Sequence, residues 1–259
     1  MLTALFDFSD DHGLKMICDF HVHSNFSDGK LSISELVDLY GSRGFGAIAI
    51  TDHICEDYGL FGWAAAHLKC TLTPFNFSKY METLEAQAAR AWFQYKMVVL
   101  PGFELSKNSW SNHRSAHILA IGVHEFISAD DDVLSQIRQI KDQGALAIAA
   151  HPVSTQKLEK QTFHLWSRRE ELREHIDAWE VASGPHLFDE VLRSTLPKIA
   201  NSDLHHPRQL SSWKTILECE KHPQAILEAI RNQEVAFQFY CDPHQSQILK
   251  VSPGLAVGR

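Results

Sequence analysis

The sequence predicts an α/β protein: one barrel-like domain of seven or eight mostly parallel strands, with a functional site where the strands end. Three observations carry this. Short apolar runs alternate with helical patterns, the signature of repeated βα units. No Gly/Ser linker, composition break or internal repeat divides the 259 residues, a length that a single α/β barrel fills. Histidines and acids recur at the C-terminal ends of the apolar runs, and in a parallel barrel those ends converge on one mouth.

The first strand is read in MICDFHV (Met16–Val22). Ser32 and Glu35 then stand at capping-box spacing, Leu36, Val37 and Tyr40 give a helix its apolar face, and Gly41 and Gly44 supply its stop signals. The second strand is GAIAITDH (Gly46–His53). From Ile54 to roughly Asn76 the chain is irregular and aromatic, too long for an ordinary βα loop, so it reads as an insertion or a lid. A helix from about Ser78 to Tyr95 leads to the third strand, MVVLPGFEL (Met97–Leu105), and a polar loop leads to the fourth, AHILAIGV (Ala116–Val123).

A helix from about Asp130 puts Val133, Ile137 and Ile140 on one face, with Asp130, Asp131 and Asp132 at the positive end of its dipole. The strand ALAIAAHP (Ala145–Pro152), a charged helix near Arg168–His175, and the strands DAWEVAS (Asp177–Ser183) and KIANSDLH (Lys198–His205) follow. An apolar piece, WKTILEC, precedes a helix with Pro223 in its first turn. VAFQFY is the last strand. Residues 1–259 read as a single domain, with 54–76 inserted in it and 242–259 a peripheral tail.

Composition narrows the function. Hydrophobic residues make up 44% and charged residues 22%, the balance of an ordinary globular protein. No apolar run reaches the length of a membrane span, and the start, MLTALFDFSDDHG, carries acids where a signal peptide has cations. The five cysteines are scattered without a CxxC pair, which predicts neither a disulfide framework nor a cysteine zinc site and fits a reducing cytoplasm. A net charge of −8 without a basic run excludes a broad footprint for duplex nucleic acid. A small anion remains a suitable partner where bound cations offset the field. Nothing in the sequence specifies an oligomeric state.

The 16 histidines are sorted by position. His21 and His23 end the first strand and His53 the second; Glu104 ends the third. His151 ends the ALAIAA run, and Asp203 and His205 end the KIAN run. His117 is the exception, at the start of its run. Side chains two apart on a strand share a face, which pairs His21 with His23 and Asp203 with His205. Imidazoles with carboxylates suit Zn, Mn or Fe. With Asp28, the candidates are too many for one tetrahedral ion, so a cluster of two or three divalent ions sharing a bridging carboxylate is expected. An HxH pair alone is a weak signal; the order HxH, DH, E, H, HP, DxH over separate strands is specific. The other histidines default to solvated surface, with His113 and His206 placed to touch a substrate. Asp52 reads either as orienting a ligand imidazole or as capping its turn. Cys55 lacks the second thiolate that a metal role requires.

CDFHVHSNFSDG, AIAITDH, PGFE, HILAIG, AAHP and NSDLH resemble, in order, the motifs of the PHP (polymerase and histidinol phosphatase) superfamily, and within it the bacterial stand-alone predicted metal-dependent phosphoesterases. The likeness runs from about Met16 to Tyr240. It implies a distorted (β/α)7 barrel with the metal site at the C-terminal ends of the strands. It also implies three subsites. His21, His23, Glu104 and Asp203 would hold one ion. Glu104 would bridge to a second, completed by His117 and His151. Asp28, His53 and His205 would hold a third. Many three-metal members carry histidine where this chain has Asp28, and an oxygen ligand there shifts preference toward Mn or Fe.

The expected reaction is hydrolysis of a small phosphate ester, a phosphomonoester or nucleotide-type substrate, by a metal-activated hydroxide attacking in line. Asp28, Glu104 and His205 are the catalytic candidates, with Asp28 or His205 protonating the leaving group. Arg114, Lys157 and Arg208 are phosphate-clamp candidates whose default is a solvated loop charge. Phe61, Trp63 and Phe75 are expected to pack in the lid, with stacking on a base as the other role. Three rival readings stand beside this one. An exonuclease would act on short single strands. A non-catalytic module stabilised by metal is disfavoured by the intact ligand set. Amidohydrolase-like barrels also begin with HxH, but commonly bridge their metals with a modified lysine, and here Glu104 stands in that position.

Overall fold

A computed structural model describes residues 15–56, 71–108, 115–153 and 163–243. Seven strands form the barrel wall: β1 (Lys15–Val22), β2 (Ala47–Ile50), β4 (Val98–Lys107), β5 (Ala116–Ile121), β6 (Leu146–Ala149), β7 (Ala178–Ser183) and β9 (Lys198–Asn201). The sheet curls until the chain leaving β9 meets the end of β1. There Val22 and Leu204 form a parallel bridge, with His23 N–H donating to Leu204 O (2.9 Å) and Leu204 N–H to His21 O (3.1 Å). This is the distorted (β/α)7 barrel that the motifs imply. β3 (His53–Cys55) continues β2 along β4, β8 (His186–Leu187) pairs with β7, and β10 (Ser212–Glu218) and β11 (Val235–Tyr240) extend the sheet antiparallel from β1.

Six of the seven staves run the same way, and β5 is the exception: it is antiparallel to both β4 and β6. A reversed strand brings its N-terminal end to the mouth. His117, anomalous at the start of its run, therefore arrives where the other strands finish, opposite Ser106 of β4. The wall is mostly parallel, as expected, and AHILAIGV is the strand that departs from it. Two corrections concern length. The run Gly46–His53 is two strands, because Thr51 turns to hydrogen-bond Val22 through N (2.8 Å) and Oγ1 (3.1 Å to Val22 N). The charged helix near Arg168–His175 is replaced by two short helices, Phe163–Ser167 and Arg169–Leu172.

The longer helices form where their signals stand. In α1 (Ile33–Gly41), Ser32 and Glu35 make a reciprocal capping box, which satisfies amides left orphaned at a helix start. α2 (Phe77–Tyr95) buries Tyr80 and Leu84. α3 (Val133–Asp142) is capped by Asp132, whose carboxylate accepts from Leu134 N and Ser135 N. The helix Pro223–Arg231 has His222 as N-cap and proline in its first turn.

Two apolar layers result. Met16, Cys18 and Phe20 join Ala49, Leu100, Leu119, Ile148, Ala178 and Ile199 inside the barrel. Val22, Ile48, Ile50, Phe103, Val181 and Ala200 face outward, under Leu36, Tyr40 and Tyr80 of the helices. Strict alternation from Phe20 would turn His21 outward. The pairing register of β1 on β2 slips between Asp19 and Val22, a bulge of the kind that re-aims side chains beside functional sites. Past it, Val22 faces the helices and His21 and His23 face inward.

The 54–76 segment and the 242–259 tail fall mostly outside the described residues, and Phe61 and Trp63 lie there too. Phe75 does not pack: it is 99% exposed, against the role expected of it.

Candidate metal centre

All nine candidate ligands meet at the mouth. Glu104 of β4 is their hub, fully buried. Its Oε1 lies 2.8 Å from His117 Nδ1 and 3.3 Å from His151 Nε2; its Oε2 lies 3.0 Å from His53 Nδ1, 3.3 Å from His21 Nε2 and 3.5 Å from His23 Nε2. Asp203 faces the same space, with Oδ1 3.3 Å from both His21 Nε2 and His23 Nε2 and 3.4 Å from His205 Nδ1. At the rim, Asp28 Oδ1 sits 3.2 Å from His205 Nε2 and 3.6 Å from His53 Nε2. Burial is graded from floor to rim. The side chains of His21, His23 and Glu104 are 0% exposed, while Asp28 is 43% and His205 29% exposed, so these two are the most accessible of the nine.

Among the described residues, four sets bring their ligand atoms within 4.8 Å of one another: His21, His23 and Glu104; Glu104, His117 and His151; His21, His151 and Asp203; and His23, Asp28, His53 and His205. The floor shows what these sets lack. Both ring nitrogens of His23 and Oδ1 of Asp203 are buried without a hydrogen-bond partner, although His23 Nε2 and Asp203 Oδ1 are only 3.3 Å apart. Buried polar atoms are rarely left so. A cation between a lone pair and a carboxylate satisfies both. Ligand atoms about 2.0–2.2 Å from one ion stand about 3–3.5 Å from each other, the spacing found here. The residues present fit divalent metal.

Electrostatics point the same way. Burial disfavours charge on Glu104 and Asp203, but the imidazoles around them, His117 first for Glu104 and His21 first for Asp203, hold both carboxyls well below their usual range. Burial likewise opposes charge on His151 and His205. Hydrogen bonding to Glu104 overrides it for His151, and hydrogen bonding to Asp28 for His205, lifting each to about 9. His23 goes the other way, to about 3, through burial and then the charge of its neighbours His205 and His53. Without metal, protons on imidazoles balance the carboxylates.

The turn after β1 delivers Asp28. Asp52 accepts from Ser24 N (2.8 Å), Ser24 Oγ (2.6 Å), Ser27 N (3.1 Å) and Ser27 Oγ (2.5 Å). It caps a turn, but that of the first strand rather than its own. Gly29 closes it, and a Cβ there would stand 2.2 Å from His23 O and 2.8 Å from Ser24 N. Gly29→Ala should therefore lower the unfolding free energy by about 1–3 kcal/mol, measured by urea denaturation; an unchanged midpoint would show that the turn yields freely.

Other residues of the site were not singled out from the sequence. Ser106 Oγ lies 2.8 Å from His53 Nδ1, and Asn108 Oδ1 lies 3.3 Å from His117 Nε2. Glu180 of β7 is 0% exposed and lies 2.9 Å from His21 Nδ1. Its signal was an acid inside the apolar run AWEVAS. Two strained residues flank the site, His151 at φ 23° and Asp203 at φ 53°, in the region where non-glycine residues persist only when their surroundings hold them. Asp19 holds the neighbour of Asp203, accepting from Ser202 N (3.0 Å) and Ser202 Oγ (2.6 Å), and is itself met by Lys214 Nζ at 3.0 Å. His206 caps the short helical turn Pro207–Leu210 and is exposed, as is Arg208. His113, Arg114 and Lys157 lie outside the described residues.

The cleft over these groups has a volume of about 280 Å³ and is lined by His53, Glu104, Asn108, His117, His151, Asp203 and His205. A larger cavity, about 540 Å³, lies at the opposite end of the barrel among Trp92, Met97, Leu100 and Leu227. It gathers no carboxylates, and the chemistry belongs to the smaller cleft.

Comparison with known proteins agrees with the geometry. No curated protein matches the chain in sequence. A solved two-domain protein from Bacteroides vulgatus, containing a predicted PHP-like metal-dependent phosphoesterase, superposes with a TM-score of 0.65 at 24% identity, over 89% of this chain and 66% of that one. The chain thus spans just under two thirds of that protein's length. PsfC from Pseudomonas syringae superposes with a TM-score of 0.56 at 13% identity, over 91% of this chain and 96% of its own. Both show the fold. The PHP domain family matches residues 19–127, the stretch from β1 through β5 that carries His21, His23, Asp28, His53, Glu104 and His117, and over that stretch the chain is similar to a PHP domain.

Proposed function

We propose that the protein is a metal-dependent phosphoesterase that hydrolyses a small phosphate ester at this cleft. The observation that carries the reading is the floor of the site, where both ring nitrogens of His23 and Oδ1 of Asp203 are buried without a hydrogen-bond partner beside Glu104 and His21. His21, His23, Glu104 and Asp203 are read as one ligand set, Glu104 with His117 and His151 as the second, and Asp28, His53 and His205 as the outer one. Divalent ions held there supply Lewis acidity toward phosphoryl oxygens and lower the pKa of water. The carboxylate of Asp28 among the outer imidazoles favours Mn or Fe over Zn at that set.

The chain's own residues do the rest. Glu104 and Asp203 set the negative charge that retains cations. The buried floor keeps bulk water from the inner ligands, which strengthens every charge interaction there. Asn108 at the edge of the cleft offers an amide to a phosphoryl oxygen or leaving group. When the outer set is not engaged as ligands, the proton on His205 Nε2, shared with Asp28, faces the entrance and can pass to a leaving oxygen. A cleft of about 280 Å³ is at the small end for ligand sites and suits a phosphoryl group with a compact leaving group. Duplex nucleic acid and membranes are not proposed as partners. Among the described residues no helix is long and apolar enough to cross a membrane. The thiols Cys18, Cys219 and Cys241 suit a reducing cytoplasm.

The test is direct. The purified chain is stripped with chelator, reloaded with Mn, Fe(II) or Zn, and assayed on phosphomonoesters, bisphosphate nucleotides and short oligonucleotides. Metal-dependent release of inorganic phosphate is expected, abolished by chelation. Release of mononucleotides from oligonucleotide ends alone would favour the exonuclease reading. Retained metal with no turnover on the whole panel would leave a metal-stabilised binding module.

A further inference from the structure

We propose that Glu180 is a positioning residue that sets two ligands of the metal centre at once, the ring of His21 and the backbone of His151. The inference rests on the metal reading above.

Glu180 touches the site only from behind. His21 is an imidazole with two edges: Nε2 faces Glu104 Oε2 and Asp203 Oδ1, each at 3.3 Å, and Nδ1 faces Glu180 Oε1 at 2.9 Å. An imidazole can offer a lone pair to a cation from Nε2 only if its proton resides on Nδ1. Glu180 accepts that proton's hydrogen bond and so selects the ligating form. Its other oxygen, Oε2, accepts the backbone N–H of His151 at 2.7 Å. That bond falls on a residue at φ 23°, a conformation that needs outside support. One rigid carboxylate thus ties a side chain of one ligand set to the main chain of the next.

The carboxylate is itself anchored. Asn201 Nδ2 donates to Glu180 Oε1 at 2.9 Å, and Asn201 Oδ1 accepts from Phe20 N at 2.9 Å. Phe20 adjoins the bulge that turns His21 inward, and the register of β7 on β9 slips just after Glu180. Three donors converge on Glu180: an imidazole N–H, a side-chain amide and a backbone amide. Glutamine has the same shape but presents one acceptor and one donor. In Glu180→Gln, an amide N–H₂ must face at least one of these donors. Either the support of His151 is lost, or the new amide donates to His21 Nδ1 and forces the proton to Nε2, where it blocks ligation.

The experiment uses the full chain, metal-free, titrated with Zn²⁺ alone. Bound metal is measured by equilibrium dialysis with elemental analysis, and histidine tautomers by ¹⁵N NMR of the zinc-loaded protein. Zinc-loaded wild type should show His21 protonated at Nδ1. Glu180→Gln should bind about 10–100-fold more weakly, with a native circular dichroism spectrum and an altered His21 signal. A purely structural role would shift thermal unfolding but leave the tautomer unchanged. The proposal is overturned if the folded variant binds zinc within threefold of wild type. It is equally overturned, with no variant needed, if wild-type His21 carries its proton on Nε2. Should wild type bind no metal, the reading of the centre fails, and the inference falls with it.

Discussion

Glu104→Gln should cut phosphate release by roughly a thousandfold or more while leaving the barrel folded. The substitution keeps the shape of the side chain and removes its charge, so packing is not the cause of the loss. Glu104 lies within 3.5 Å of five imidazoles, His21, His23, His53, His117 and His151. It belongs to two of the four ligand sets. An amide in its place offers one weakly held oxygen where two charged ones stood, and it puts an N–H₂ against ring nitrogens that must present lone pairs. Two ions therefore weaken together. The measurement is metal content beside turnover on a responsive phosphomonoester. A variant that retains its metal and acts within threefold of wild type would remove Glu104 from the shared position and leave Asp203 as the central carboxylate.

The contrast between Glu104 and Glu180 shows what the sequence makes legible. Glu104 ends an apolar run, and so do His53, His151 and His205. Parallel strands convert "end of run" into "mouth of barrel", and that rule alone collects most of the site. It cannot register strand direction, because an antiparallel strand has the same period-two pattern as a parallel one. His117, at the start of its run, therefore reaches the mouth only because β5 runs backwards. Nor can it register bulges. The inward turn of His21 depends on a slip between Asp19 and Val22 that no pattern of hydrophobicity announces. Glu180 sits inside its run, where an acid has no rule attached. Its role comes from partners 159 and 29 positions away in the chain. Asp52 was ambiguous for a similar reason: its four donors come from Ser24 and Ser27, on another strand's turn. The convergence of the candidate ligands was local and readable, whereas the hydrogen bonds that orient them were long-range and were not.

Metal loading should release protons and tighten steeply with pH. Free imidazole titrates near 6.5, and in the metal-free protein His151 and His205 are lifted to about 9 by Glu104 and by Asp28. At pH 7 both carry protons that a cation must displace, because a ligand nitrogen needs its lone pair. Each displaced proton makes the apparent affinity about tenfold tighter per pH unit below its pKa. His151 and His205 belong to different ligand sets, so each set gains about tenfold per unit from its own proton between pH 6 and 8, flattening above about 9. Calorimetric titration with Mn²⁺ at pH 7 in two buffers of different ionisation enthalpy measures the protons released; buffer-independent heats with a pH-independent affinity would contradict the scheme. The stability of the metal-free chain should move in the opposite sense. A histidine pKa raised on folding adds stability that is fully present below about 6.5 and is lost as pH climbs through about 9. The unloaded protein should therefore soften between those limits while the loaded one, held by metal in place of protons, strengthens. A pair of thermal unfolding series, with and without Mn²⁺, should diverge across that window. If the two run parallel, His151 and His205 are not the groups that exchange protons for metal.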